Sequence, residues 1–275
     1  MKPARFDYVR AETLAEAHEV LAAEGGNARV IAGGQTLVPM LSMRLARPKV
    51  VVDIMGIASL ARIAEEKNAI RIGAVVRQAE LLEWPALAKA QPLMAMALPW
   101  VGHAQTRSRG TVCGSVAHAD PSAEIPLVLL ALKGEIELSA RRRKRRVAAE
   151  EFFTGLISTA CAEDELIESI SIPARQTGEG FAFREFGRRH GDFAIVACAA
   201  VANTNSVRLA IGGVADRPVA RNFSALDGSA LDEALDQLAW ELDARDDMHA
   251  SASYRRALVR RLGKETITEA RRCRA

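Results

Sequence analysis

Two short stretches carry residue types suited to holding a phosphate-bearing ligand. In "IAGGQTLVPML", Ile31 to Leu41, two glycines follow an apolar run and are succeeded by Gln35 and Thr36. Glycine lets successive backbone N–H groups turn outward, and such a run of amides makes a concave anion site that a side-chain amide and hydroxyl can extend. A tight turn between a strand and a helix would use the same Gly-Gly. No Gly-Lys-Thr follows, so this is not a Walker loop, and it is not the GxGxxG of a dinucleotide fold. In "GTVCGSVAHADPSAEIP", Gly110 to Pro126, Gly110, Gly114 and Ser115 offer a second small-residue turn with free amides, beside the hydroxyl of Thr111. Asp120 then precedes Pro121 as an N-cap precedes a first-turn proline, so a helix is expected to start there with Glu124 in its first turn. A carboxylate at that place complements the helix dipole or reaches the hydroxyls of a ligand lying across the loop. Together the two loops suit a pyrophosphate and its attached sugars. Neither supplies a nucleophile or a metal cage, so the ligand would bring its own chemistry.

The elements around these loops read as follows. Thr13 and Glu16 form a capping box for a helix over 14–24, whose apolar face is Leu14, Ala17, Val20 and Leu21 and whose stop is Gly25-Gly26. Ala28 to Ala32 and Val50 to Ile54 are short β-branched strands that make this first lobe a small α/β unit. The middle lobe mixes strands at Ala69–Ala74 and Gly134–Ser139 with helical stretches at Gln78–Leu82 and Pro92–Val101. Beyond Pro173, alternating runs at Phe181–Phe186, Phe193–Ala202 and Ser206–Val214 predict an antiparallel sheet, and helices over Ala230–Leu242 and Ser253–Leu262 close the chain. The implied divisions are 1–55, 56–173 and 174–275.

Composition excludes several classes. With 275 residues and 49% hydrophobic content the chain can bury a real core. No run approaches the roughly 18 uncharged apolar residues of a membrane span, and the first residues lack the apolar core of a signal peptide, so a cytoplasmic location is expected. Cys113, Cys161, Cys198 and Cys273 are far apart with no CxxC pair, which leaves no local spacing for zinc or an iron–sulfur cluster. His118 has no ligand partner at i+4 and reads as a polar loop residue; no metal is expected. The basic run Arg141 to Arg146 reads as a solvated crossover between two strands, with a nucleic-acid or anion patch and a subunit contact as the alternatives.

The two loops resemble the FAD-binding loops of the flavin-carrying medium subunit of the molybdenum hydroxylases, which include bacterial carbon monoxide dehydrogenases, nicotine and quinoline oxidoreductases and xanthine dehydrogenase. The resemblance extends through "RLARPKVVVDI", "FFTGLISTACAEDELIESISIP", "RHGDFAIVACAA" and "HASASYRRALVRRL", and so spans nearly the whole chain. It implies an α+β protein: two N-terminal α/β subdomains clasp FAD in a PCMH-type fold, followed by a C-terminal antiparallel sheet with a helical bundle. It further implies a small subunit carrying [2Fe-2S] clusters, a large molybdopterin subunit, a dimer of heterotrimers, and electron transfer from the clusters through FAD to an external acceptor. A free-standing FAD-dependent oxidoreductase of related fold is the nearest alternative, and a nucleotide- or RNA-binding module using Arg141 to Arg146 is a remote one.

Carried over by position, the resemblance assigns the first FAD loop to Ile31, Ala32, Gly33, Gly34, Gln35, Thr36 and Leu37. The second falls to Thr111, Val112, Cys113, Gly114, Ser115 and Ala117, with Val101 nearby. Glu124 falls near the ribityl and ribose hydroxyls. Arg184 stands where relatives keep a lysine near the flavin; a strand-surface arginine is its other reading. Asp192 and Phe193 match a motif close to the isoalloxazine ring, though without the family Phe193 would be core. Three departures stand out. Cys113 replaces the usual glycine of the second loop, where a small buried inert thiol is one outcome and redox sensitivity another. Cys161 sits where leucine is common, and Phe193 lacks the tyrosine hydroxyl of some relatives.

Overall fold

The computed structural model describes residues 2–224 and 227–274, and these form sheets of three, five and four strands with one two-stranded ribbon. The first sheet is parallel. It is built from β1 (Asp7–Arg10), α1 (Leu14–Glu24), β2 (Ala28–Ile31), α2 (Leu37–Ser42) and β3 (Val50–Asp53), in the strand order β1-β3-β2. Helix α1 starts where Thr13 Oγ1 accepts from Glu16 N, and it stops at Gly25, whose φ is 51°. The Glu16 carboxylate accepts from Glu12 N, one residue before the cap that a capping box would use. β1 has no apolar signature, because all but Val9 of its Asp-Tyr-Val-Arg sequence is exposed; its pairing with the buried β3 holds it in place.

The middle of the chain supplies β4 (Ile63–Glu65), β5 (Ala69–Gly73), α3 (Gln78–Glu83), α4 (Leu87–Ala90), α5 (Pro92–Ala97), α6 (Ala104–Arg107), α7 (Val112–His118) and α8 (Glu124–Ala131). It continues with β6 (Glu135–Ala140), β7 (Arg143–Ala148), α9 (Ala149–Phe152), the ribbon of β8 (Phe153–Gly155) and β9 (Ser158–Thr159), and β10 (Leu166–Pro173). The sheet is antiparallel, with the order β4-β5-β10-β6-β7. The basic run is therefore no crossover. Arg141 and Arg142 form the turn of a hairpin, and residues 143–146 open its edge strand β7. Carboxylates on neighbouring strands and loops explain how so much charge fits one strand: Lys144 meets Glu137 and Glu168, each at 2.7 Å, and Arg145 meets Glu165 at 2.8 Å. Arg143 pairs with Asp164 at 2.5 Å, and Arg146 lies 3.6 Å from Glu137.

The helix expected at Pro121 begins instead at Glu124. Asp120 caps only a turn, accepting from Ser122 N at 2.8 Å, and Ala123 is the residue ahead of α8. All eight residues of α8 are buried.

The last sheet is an antiparallel meander of β11 (Gly180–Phe186), β12 (Val196–Ala202), β13 (Ser206–Gly212) and β14 (Val219–Ser224), followed by α10 (Gly228–Glu241) and α11 (Ala252–Arg272). Helix α11 runs ten residues past the expected end, since Leu262, Thr266, Ile267 and Ala270 continue its buried stripe. The third strand pairs with β14, which the alternation of the sequence did not announce. One face of this sheet, with Phe181, Ala197, Ala199 and Ala210, joins the core shared by the first two sheets and α8. Its other face, with Ala182, Val196, Cys198 and Leu209, lies under α10 and α11. The α+β class is as the resemblance implied, with the helical part of the last lobe reduced to a packed pair.

Candidate cofactor site

The first glycine loop leaves β2 and enters α2. Among the described residues, no protein acceptor takes the N–H groups of Gly33, Gly34, Gln35, Thr36 or Leu37. Five consecutive unclaimed amides are unusual in a folded chain, where backbone donors are nearly always paired, and they form the concave donor set an anion requires. Gly34 has φ 71°, the left-handed conformation that turns the run outward. Gln35 and Thr36 are exposed beside it, while Ile31, Ala32 and Leu37 are half-buried.

Gly33 serves a different end. A methyl on its Cα would sit 2.3 Å from the carbonyl oxygen of Arg109 and 2.7 Å from Gly110 Cα, so the hydrogen side chain is what lets this loop lie against the second one. The second loop is not a turn. Thr111 caps α7, accepting at Oγ1 from Gly114 N at 3.0 Å, and Ser115 N donates to Thr111 O. The amides of Gly114 and Ser115 are thus taken, contrary to the sequence reading; those of Thr111 and Cys113 have no protein acceptor among the described residues. Gly114 and Ala117 are exposed and Ser115 and His118 half-exposed, which leaves a small-residue face open on α7. Val112 and Cys113 point into the core. Cys113 Sγ lies 3.6 Å from Ile72 O, and burial pushes its thiol up to about 12, so its side chain is an inert part of the core.

From the junction of the loops a wall continues toward the last sheet. Arg107 Nη1 donates to the carbonyls of Val101 at 3.0 Å and Gly102 at 2.9 Å, which fixes the turn containing the buried Val101. Trp100 stacks on His190 with ring centroids 4.8 Å apart and lies 6.3 Å from Phe183. Gly191, at φ 89°, presses against His103 and Gly102, where no side chain would fit. The loop after β11 is thereby seated on the segment from Trp100 to His103. Phe193, which the resemblance sets near the ring and which would be core without it, is 62% exposed at the end of this loop, and its strand begins only at Val196. Asp192 Oδ2 makes no hydrogen bond and lies 3.6 Å from Arg188.

Two carboxyl groups complete the wall. Glu124, the first residue of α8, is only 4% exposed. Its own amide favours the ionised form, but burial outweighs it and lifts the carboxyl to about 7, with Asp120 adding to the rise and Arg107 opposing it. Glu185 on β11 is lifted to about 8 by burial and then by the charge of Glu124, and its Oε2 has no hydrogen-bond partner. Arg184, read either as a charge beside the flavin or as a strand-surface arginine, lies on the other face of the strand: its guanidinium pairs with Glu269 at 2.8 Å and Glu265 at 3.5 Å on α11. Strand alternation explains this, since Phe181, Phe183 and Glu185 share one face and Ala182 and Arg184 the other. Cys161 stands apart from these groups. Its Sγ contacts Glu165 O, and burial raises its thiol to about 11. Trp100, His103, Arg107, His190 and Glu185 were not singled out in the sequence; for Glu185 the parity of its own strand was the available signal.

The chain matches two family models end to end. Residues 4–175 match the FAD binding domain in molybdopterin dehydrogenase, and residues 181–270 match the CO dehydrogenase flavoprotein C-terminal domain. It belongs to the FAD-binding subunits of the molybdenum hydroxylases. The FAD-binding subunit is 38% identical over 282 residues to the nicotine 6-hydroxylase medium subunit of Paenarthrobacter nicotinovorans, covering 98% of this chain and 99% of that one. Its fold superposes on a chain of carbon monoxide dehydrogenase from Hydrogenophaga pseudoflava with a TM-score of 0.94 at 29% identity, and on quinoline 2-oxidoreductase from Pseudomonas putida 86 with a TM-score of 0.90 at 30% identity. These cover 100% and 99% of both chains, respectively. Its residues fit FAD chemically: an unclaimed amide run suits the pyrophosphate, and acceptors and half-buried apolar groups line the wall beyond it. Among the described residues no cluster of three His, Cys, Asp or Glu side chains is arranged to hold a metal, and no helix is long and apolar enough to cross a membrane.

Proposed function

We propose that the amides of Gly33 to Leu37, with those of Thr111 and Cys113, hold the pyrophosphate of FAD, and that the wall from Val101 to Glu124 receives the rest of the cofactor. The observation that carries this reading is the row of five backbone donors without protein acceptors, held by Gly33 against the second loop. Bound FAD supplies the redox chemistry, accepting electrons and passing them on. The chain's own groups position it: Thr36 and Gln35 can add hydrogen bonds at the phosphate, the open face of Gly114, Ser115 and Ala117 admits its close approach, and Glu124 accepts from its hydroxyls. Asp192 and Phe193, at the end of the loop seated on Gly102, lie on the side we assign to the ring, and Cys161 stands further off. Residues 1–55 and 56–173 are read as the two lobes that clasp FAD, and 174–275 as the lobe that closes the far wall and docks in the complex.

In the cell, on this reading, the chain works in the cytoplasm as the middle link of a three-subunit enzyme, a dimer of heterotrimers. Electrons arrive from [2Fe-2S] clusters on a small subunit after a large molybdopterin subunit has oxidised the substrate, and they leave to an external acceptor. The test is the visible spectrum of the purified chain after incubation with FAD and desalting, repeated on material co-expressed with its partners. Flavin near one per chain is the expected result; none, even in the complex, overturns the assignment.

A further inference from the structure

The tail stretch "HASASYRRALVRRL" lies outside both glycine loops, yet it is bonded to the loop that carries Phe193. Arg255, in the first turn of α11, is 5% exposed; its Nη1 donates to Ile195 O at 2.7 Å and to Gly213 O at 2.5 Å, and its Nη2 pairs with Asp247. The helix itself does not call for this cation, because the positive end of a helix dipole disfavours one. What the guanidinium holds accounts for it: its planar fork bridges three acceptors from separate parts of the chain, which the point charge of a lysine cannot span. Each acceptor is itself fixed. Asp247 Oδ1 accepts from His249 N and Ala250 N. Gly213, at φ 81°, lies so near the loop that a methyl on it would sit 2.8 Å from Ile195 O, and its N–H donates to Pro121 O at 2.8 Å, between the second glycine loop and Glu124. Ile195 N donates to Phe186 O at 2.8 Å, and the Phe186 ring meets that of Tyr254, next to Arg255, edge-on at 6.1 Å. The other end of the loop is held by the stacking of His190 on Trp100 and by Gly191 against His103. Between these two anchors lie Asp192, Phe193 and Ala194. The backbone of this span is thus tied at both ends, while the Phe193 ring stays 62% exposed.

We infer that Arg255 is a positioning residue for the flavin: through Ile195 O it fixes the span that carries Phe193, and so sets how far bound FAD lies open to molecules outside. Gly213 extends the tie to the segment of the second glycine loop, so the same guanidinium sets the distance between that segment and Phe193. This role rests on the proposed FAD site, with Phe193 on its ring side.

The test compares the FAD-loaded full chain as wild type, Arg255→Lys, Phe193→Ala and the double variant. It reads iodide quenching of the flavin's fluorescence, with FAD content and melting temperature as controls. R255K keeps the charge but loses the fork, so it should retain its flavin and raise the quenching constant more than about twofold. F193A should raise it as well, and the double variant should go no higher than F193A, because residues that act through one another are not additive. An arginine that only stabilises the fold would lower the melting temperature and leave the quenching at the wild-type value. A quenching constant for R255K within about twofold of wild type, or a double variant that exceeds F193A, overturns the positioning role and leaves the FAD site standing. If R255K does not fold, Arg255→Gln, which keeps a donor at the same place, is judged by the same comparison; loss of the fold in both overturns the role in favour of a structural one. An F193A variant that quenches like wild type overturns the role together with the placing of Phe193 at the ring, and the amide site stands. Failure of the wild type to hold FAD overturns all three.

Discussion

Replacing Gly33 and Gly34 one at a time separates two roles that look alike in the sequence. At Gly33 the added methyl would lie 2.3 Å from Arg109 O and 2.7 Å from Gly110 Cα, both backbone atoms that cannot swing aside. An ordinary carbon–oxygen approach is about 3.3 Å, so in Gly33→Ala the first loop must retreat by about 1 Å. Overpacking of that kind costs about 1–3 kcal/mol. The amides of Gly33 to Leu37 move with the loop, away from those of Thr111 and Cys113, so the cost falls on the cofactor: roughly 5- to 150-fold in FAD affinity. At Gly34 the methyl meets side-chain carbons alone, Val38 Cγ2 at 3.1 Å and Ile31 Cδ1 at 3.5 Å, while φ of 71° imposes strain. That strain is about 1–2 kcal/mol and is the same with or without ligand. Gly34→Ala should therefore lower the melting temperature by a few degrees and leave FAD affinity within about threefold of wild type. Fluorescence titration of FAD into the stripped chain, with circular-dichroism melts as the fold control, reads both effects. Should G33A bind FAD within twofold of wild type, or lose less affinity than G34A, the loop-to-loop packing is not what positions the amides.

Arg184→Gln should leave FAD content unchanged and cost no more than about 1 kcal/mol, because the side chains it pairs with, Glu265 and Glu269, are each more than a third exposed; loss of half the flavin on desalting would put the arginine back at the cofactor. Glu165, 4% exposed, is held at about 2 against an ordinary 4.5 chiefly by Arg145, whose ion pair it receives at 2.8 Å. A depressed carboxylate stabilises the fold fully above its ordinary range, and the contribution disappears as pH falls from 4.5 toward 2. Its full size is roughly 3 kcal/mol, cut to about 1–2 by water around the half-exposed guanidiniums. Urea unfolding of Arg145→Ala should thus show a loss of about that size at pH 7 and a smaller difference from wild type at pH 3; equal stability at pH 7 would show that the basic strand is held by pairing with β6 alone.

The elements with local signals were the legible ones. The cap at Thr13 and the stop at Gly25 give α1 at its correct ends, and β2 and β3 follow from their β-branched runs. β1 and β14 were silent because each is a largely exposed edge strand with little apolar alternation, held by pairing with β3 and β13. The run at 141–146 looked like a crossover because charge density was read without its partners, which lie on β6, on β10 and in the loop before it. At the site, the glycines were conspicuous but their tasks were not. Whether an amide is free depends on what Thr111 does with its hydroxyl, and that moved the available donors of the second loop from Gly114 and Ser115 to Thr111 and Cys113.

The placement of α8 ties these observations together. Its first residue is Glu124, and near its other end Arg208 of β13 donates from Nε and Nη2 to Leu130 O, each at 3.3 Å. A cation at the C-terminus and a carboxyl at the N-terminus both suit the helix dipole. For Glu124, however, the dipole favours the ionised form while burial opposes it, and the rise to about 7 shows that burial prevails. The same sheet that supplies Arg208 also supplies Phe183 and Glu185, and its following loop supplies His190 and Gly191. The last sheet therefore packs on the segment that carries the second glycine loop. It anchors α8 through Arg208, and the charge of Glu124 at the head of that helix acts on Glu185 of the sheet. A site built this way follows from no single motif, since its electrostatics come from packing between two segments that the sequence presents as separate.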